Sequence, residues 1–262
     1  LSRTSLLYVS QAGEVYNKNV GTGALEKLSI PSLALNSEPF VLFTLTKNVT
    51  SAAAAFGVKD AILVKGTNLS ETLVVSGTYF DQSKNCVILK VFAYNLTEDG
   101  SDWRTIYQST PCIDKFDGMP SWGAGLAIAG DTSVFLSVGD VLHDGVNHRD
   151  LISEDGSDYG KVFLIDFVDN TVSRHSTGHR NPQGIINTNS GNVLAVEHGP
   201  NGGDELNRIQ QGKHYGWPVR TFGVNYGDWV WPLNKINGSH DGYEQPLMSW
   251  TPAIGPSDLT EI

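Results

Sequence analysis

Cysteine is nearly absent from this chain. Cys86 and Cys112 are the only two in 262 residues, and no C-x-x-C pair occurs, which excludes a zinc ribbon and a dithiol redox motif. The pair reads either as one disulfide between neighbouring strands or as two buried thiols. Blocks of Lys and Arg are missing too: 18 basic residues face 28 acidic ones, for a formal net charge of −10. Nucleic acid and anionic membrane surfaces are therefore poor partners, whereas a neutral sugar or a cation meets no obstacle. No apolar run approaches the roughly 20 residues of a membrane span, and no signal peptide is visible. Leu1 stands directly ahead of a strand, an opening that suggests a natural chain beginning earlier. The tripeptides starting at Asn48, Asn68, Asn95 and Asn237 fit the N-glycosylation pattern and add a mild argument for an extracellular or periplasmic location.

What the chain does have is turns. Gly at 28, Pro at 11 and apolar runs of four to eight residues predict a β protein of one domain over residues 1–262. Ser5 to Ser10 and Glu14 to Asn17 read as a hairpin, and Asn19 to Pro39 as loop. Strands are expected at Val41 to Thr46, Ala61 to Val64, Thr72 to Tyr79, Val87 to Tyr94 and Trp103 to Gln108, with Ala52 to Phe56 open to a helical turn.

Two later segments look like copies of one unit. Gly125 to Ile128, a turn at Gly130-Asp131 and Val134 to Asp140 match Gly184 to Asn187, a turn at Ser190-Gly191 and Val193 to Gly199. Lys161 to Phe167 and Thr171 to His175 supply outer strands for the first copy. Strand, turn, strand and polar loop, repeated after a long interval, is the trace of a β-propeller blade.

Residues Gly178 to Pro218 concentrate the special-purpose types. His179-Arg180-Asn181-Pro182-Gln183-Gly184 sets a guanidinium and amides at a strand end, and Glu197-His198-Gly199-Pro200-Asn201-Gly202-Gly203-Asp204-Glu205 can turn backbone carbonyls inward toward an oxygen-loving ion such as calcium. The collinear run of H-R-N-P-Q-G, E-H-G-P, G-D-E-L-N and Y-G-W-P resembles the soluble glucose/sorbosone dehydrogenase family, six-bladed propellers that oxidise aldoses with pyrroloquinoline quinone (PQQ) and calcium. The resemblance implies that Arg180 and Asn181 face the quinone and that Gly199 and Pro200 offer carbonyls to its calcium. It also implies a second, structural calcium at Glu205 and Tyr215. Ser249 to Ser257 resembles the approach to a further blade, with Leu259 to Ile262 opening its first strand, so the chain reads as about four blades of six.

The same resemblance exposes a gap. Oxidation at the anomeric carbon needs a base for the hydroxyl proton, and the family uses a histidine whose position here is Ser121. A serine hydroxyl cannot replace imidazole as base. Asp140 stands where the family orients that histidine; it reads as a weak base or as a carboxylate satisfying turn amides. His143 and His148 are loop histidines that could turn toward a pocket, His179 and His198 orient their own loops, and Arg180 could instead be a salt-bridge partner. Phe222, Tyr226, Trp229, Trp231 and Tyr243 either cap a face of the fold or stack on a sugar or quinone. The expected activity is PQQ- and calcium-dependent oxidation of an aldose to its lactone. The alternative is a propeller that binds but no longer turns over; a calcium-only lyase or lactonase fits the fold but not the H-R-N-P-Q-G run.

Overall fold

The computed structural model describes residues 5–66, 70–115, 121–145, 148–226 and 238–262. The sequons at Asn68 and Asn237 and the rings of Trp229 and Trp231 lie outside the described residues. Four antiparallel sheets follow one another along the chain. The first holds β1 (Ser5–Val9), β2 (Val15–Asn19) and β3 (Leu25–Lys27). The second holds β4 (Val58–Lys65), β5 (Glu71–Asp81), β6 (Cys86–Asn95) and β7 (Arg104–Gln108). The third is β8 (Gly123–Ile128), β9 (Ser133–Val138), β10 (Lys161–Asp166) and β11 (Thr171–Thr177), and the fourth β12 (Pro182–Asn187), β13 (Val193–Glu197), β14 (Asp204–Ile209) and β15 (Met248–Trp250).

Each four-stranded sheet begins with the strand that meets its neighbours: β8 packs against β4 on one side and β12 on the other. Polar rungs tie these joints. Leu126 N–H donates to Asp60 Oδ2 at 2.8 Å, Ser76 Oγ to the Ala124 carbonyl at 2.6 Å, and Ser137 Oγ to the Pro182 carbonyl at 2.9 Å. One apolar cluster runs from Val15 to Trp217, and a second, with Phe135, Val162, Ile185 and Ala195, fills the space between the third and fourth sheets.

The repeat seen in the sequence is real pairing: Ala127 faces Phe135 across β8 and β9, and Ile185 faces Ala195 across β12 and β13. Besides the expected loop of Asn19 to Pro39, which holds β3 paired with β2, three expectations are corrected. Val41 to Thr46 is not a strand but part of α1 (Ser37–Lys47), bracketed by left-handed Asn36 and Asn48, with Glu38 and Lys47 complementing the helix dipole. Only Phe40 and Thr44 of α1 are buried, one turn apart, and Phe40 stacks on Phe56 at 4.3 Å. Burial of that ring, worth about 2–3 kcal/mol, fixes a helical face on a segment whose apolar run resembled a strand. The short α2 (Thr50–Ala54) follows where a helical turn was left open.

Second, Asp204-Glu205 opens β14 instead of continuing a loop. Third, Met248–Trp250 closes the fourth sheet as its outer strand, and Leu259 to Ile262 forms no strand. The cysteines form a disulfide, Cys86–Cys112, across a sequence separation of 26. Val87 and Ile113 exchange backbone hydrogen bonds of 2.7 and 2.9 Å beside it, so the segment after β7 is hooked back onto β6. Among the described residues no helix is long and apolar enough to cross a membrane.

Candidate functional site

Where β4, β8 and β12 begin, a cavity of about 530 Å³ opens. Ser121 and Gly123 reach it from the start of β8, Arg180 and Asn181 from the start of β12, and Gly199 and Pro200 from the loop after β13. Residues far apart in the chain share one wall because each sheet presents the same end of its first strand there.

Arg180 is held from both ends. Its backbone N–H donates to Glu197 Oε2 at 2.8 Å, and its guanidinium donates to the carbonyls of His198 at 3.0 Å and Gly199 at 2.8 Å while lying 5.4 Å from the Trp217 ring. It makes no ion pair among the described residues, so the salt-bridge reading does not apply. Asn181 Oδ1 accepts from Gly123 N–H at 3.2 Å and Gln183 Nε2 at 2.6 Å, locking the starts of β8 and β12 together.

Gly199 must be glycine. A Cβ there would stand 2.3 Å from the Gly203 carbonyl oxygen and 2.4 Å from that of Gly202. Its N–H donates to Asp204 Oδ1 at 3.0 Å, and Asp204 Oδ2 accepts the N–H groups of Ile254 and Gly255, each at 2.8 Å. One carboxylate thereby pins two loops.

Asp140 lies just behind this wall. Its Oδ1 accepts from Ser121 Oγ and from Leu142 N–H at 3.0 Å, and its Oδ2 accepts from the Trp217 indole N–H at 2.9 Å. Burial pushes its carboxyl up to about 6; the Arg180 charge opposes that rise and Asp144 adds to it. Both sequence readings of Asp140 meet here, for it satisfies a turn amide and is also a raised-pKa carboxylate one hydroxyl away from the cavity.

The other predicted residues fall elsewhere. Glu205 and Tyr215 line a separate cavity of about 10 Å³, room for one water-sized group. Glu205 Oε1 lies 2.9 Å from His240 Nε2, an ionic contact rather than a well-angled hydrogen bond, and Oε2 accepts from Asn207 Nδ2 at 3.2 Å. The Tyr215 hydroxyl donates to the Arg208 carbonyl and accepts from Gln210 N–H at 2.9 Å. His143 and His148 sit 5.0 Å apart, ring to ring, in a cleft beside the disulfide and not in the large cavity. His179 is fully buried, bonded to Ser176 Oγ at 2.8 Å and stacked on Tyr215. His198 reaches the cavity, but both ring nitrogens are engaged, with Asn181 at 3.3 Å and the Pro256 carbonyl at 2.9 Å. Of the late aromatic residues Tyr226 lines the cavity, while Phe222 stacks on His240 and Tyr243 packs on His214.

Two residues on or behind the wall were not singled out from the sequence. Trp217 stood inside the Y-G-W-P run, but nothing local pairs it with Asp140. Lys59 lines the cavity from β4; two consecutive charges, Lys59-Asp60, near the start of an otherwise apolar strand were its one signal.

The sequence profile described as Glucose / Sorbosone dehydrogenase matches residues 46–262. The chain belongs to this family. It is 34% identical over 166 residues to the aldose sugar dehydrogenase YliI of Escherichia coli K12, covering 59% of this chain and 43% of that one. It is 28% identical over 182 residues to quinoprotein glucose dehydrogenase B of Acinetobacter calcoaceticus, covering 56% and 36%. The chain thus spans less than half the length of these relatives. A solved glucose dehydrogenase superposes with a TM-score of 0.71 at 23% identity, covering 95% of this chain and 69% of that one, which shows a shared all-β fold.

Proposed function

We propose that this glucose/sorbosone dehydrogenase family member oxidises an aldose to its lactone with PQQ and calcium, and that its four sheets are blades of a six-bladed ring. The observation carrying the proposal is the shared cavity wall of Ser121, Arg180, Asn181, Gly199 and Pro200. The donor set suits the quinone: a guanidinium without an ion-pair partner among the described residues and two side-chain amides match its carboxylates, whereas the Gly199 carbonyl, which accepts from Arg180 at 2.8 Å, would have to be released to serve a hard cation. When bound, the quinone supplies an electrophilic carbon that accepts hydride, and calcium polarises its carbonyl. Calcium takes six to eight oxygens, so Gly199 and Pro200 would hold only part of its shell. At Glu205 and Tyr215 the side chains do not fit a metal: both are spent on protein partners, and among the described residues no group of three or more His, Cys, Asp or Glu is arranged for one.

Arg180 would offer fixed positive charge to a quinone held at this wall. Ser121 and Asp140 handle the proton: the sugar hydroxyl gives its proton to Ser121 Oγ as Ser121 passes its own to Asp140, and hydride leaves the same carbon. Asp140, raised to about 6, is a stronger base than an ordinary carboxylate and is still ionised at neutral pH. The disulfide favours an oxidising compartment, periplasmic or extracellular.

One observation favours the second reading, a propeller that binds without turnover: Ser121 stands where the family's histidine is expected. Adding PQQ and calcium to the full-length protein and following the quinone absorbance with glucose and other aldoses separates the two. Sugar-dependent bleaching is the expected result; binding without bleaching supports the retired enzyme, and absence of PQQ binding overturns both cofactor readings.

A further inference from the structure

Lys59 is the cation of the cavity that the mechanism leaves unused. It sits near the start of β4 and reaches the cavity wall, where its ammonium donates to the Ala55 carbonyl. No carboxylate among the described residues pairs with it. Its neighbour Asp60 is spent on backbone: Oδ1 accepts from Ala61 N–H at 2.7 Å and Oδ2 from Leu126 N–H at 2.8 Å. Asp204, also on the cavity wall, is saturated by three amide groups. Burial alone accounts for the depression of the Lys59 ammonium to about 8, with no compensating anion.

A half-buried cation without a counter-charge is unfavourable in the free protein, and keeping one in a chain of net charge −10, with carboxylates plentiful, points to a partner that arrives with the ligand. The position identifies which ligand. Arg180, Asn181 and Gly199 occupy the β12 side of the cavity; β8 separates them from β4. Charge on the β4 side therefore belongs to the molecule that is not held by Arg180.

We propose that Lys59 binds a carboxylate of the sugar, so that the preferred substrate is an acidic aldose of the uronic acid class. This rests on the reading of the cavity as a sugar-oxidising site. Lys59 would act on binding and selectivity: at neutral pH it is mostly the charged ammonium, the form that pairs with a carboxylate.

The test compares D-galacturonate with D-galactose, which differ at carbon six by a carboxylate in place of a hydroxymethyl group. Titration calorimetry on the full-length protein is expected to show galacturonate binding about tenfold to a hundredfold more tightly, the size of a charge-assisted contact. Lys59→Met should abolish that preference and Lys59→Arg should retain most of it. Affinity for PQQ should stay unchanged in both, with thermal melts establishing that both variants fold. Equal affinity of the wild type for the two sugars overturns the proposal. So does a Lys59→Met variant that loses PQQ affinity and keeps its sugar preference, because the carboxylate would then be the quinone's. Because the readout is binding, a galacturonate preference in a protein that neither binds PQQ nor oxidises either sugar would leave Lys59 standing and defeat the dehydrogenase reading alone.

Discussion

Two carboxylates at equivalent ends of the third and fourth sheets, Asp140 beyond β9 and Glu197 at the end of β13, are both buried yet shifted in opposite directions. Burial raises each. For Asp140 burial prevails, reinforced by Asp144, over the Arg180 charge and the hydrogen bonds from Ser121 and Leu142. For Glu197 the contacts with His179, the Arg180 amide and His240 outweigh burial and hold it below the usual carboxylate range. Glu197 also accepts from Asn207 Nδ2 at 2.7 Å. Burial therefore does not decide what a carboxylate does; the charges beside it do, an added carboxylate at Asp140 against two imidazoles at Glu197. One arm keeps a raised carboxylate behind the cavity, and the other spends its carboxylate holding the Arg180 backbone in place.

Removing Asp140, the proposed base, tests the first arm hardest. Asp140→Asn should lower kcat by about 10²–10⁴-fold with PQQ affinity retained, measured by quinone bleaching on the loaded protein. A variant with unimpaired turnover would move the base elsewhere. Glu197→Gln should instead act on stability: it weakens the acceptor for His179, Asn207 and the Arg180 amide, at a cost of about 2–4 kcal/mol in denaturant unfolding. A full loss of activity without loss of stability would erase the contrast between the two arms.

The pH dependence sharpens it. A group whose folded pKa is raised contributes stability below its unfolded pKa and loses that contribution as pH rises through the folded value. Asp140 should thus cost the fold on the order of 1–3 kcal/mol between about pH 4 and pH 6, a slope absent from Asp140→Asn and visible in urea midpoints taken across that range. Activity should run the opposite way, falling as pH drops through about 6. The smallest effect is expected for Trp217→Phe. Loss of the 2.9 Å indole donor removes support for the ionised carboxylate, so the acid limb of the activity profile should move to higher pH, with about tenfold lower activity near pH 6. An unchanged limb would show that the indole acts only as a wall.

Much of the frame was readable from local pattern. Strands β4 to β6 and β8 to β13 follow alternation or short apolar runs between turns, and the copy relating β8–β9 to β12–β13 survives as pairing. Alpha helix α1 was misread, since Phe40-Val41-Leu42-Phe43 has no period that distinguishes a strand from a helix until Phe40 finds Phe56 and Phe80. Strand β15 was missed because three residues, two of them exposed, carry no signal of their own and take their register from Leu206 and Asp204.

The sequence by itself determined the residue types of the site: glycine at 199, where no Cβ fits, Arg180 between turn-forming neighbours, and the absence of a histidine at 121. These depend on identities and close spacing, which a linear string records. Only tertiary structure decided that Asp140 would be raised and Glu197 lowered, that Trp217 would cap Asp140 across 77 positions, and that Lys59 would share a cavity with Arg180 while pairing with no carboxylate among the described residues. Desolvation and pairing depend on what the rest of the chain brings within a few ångströms, and that is settled when β4, β8 and β12 come together.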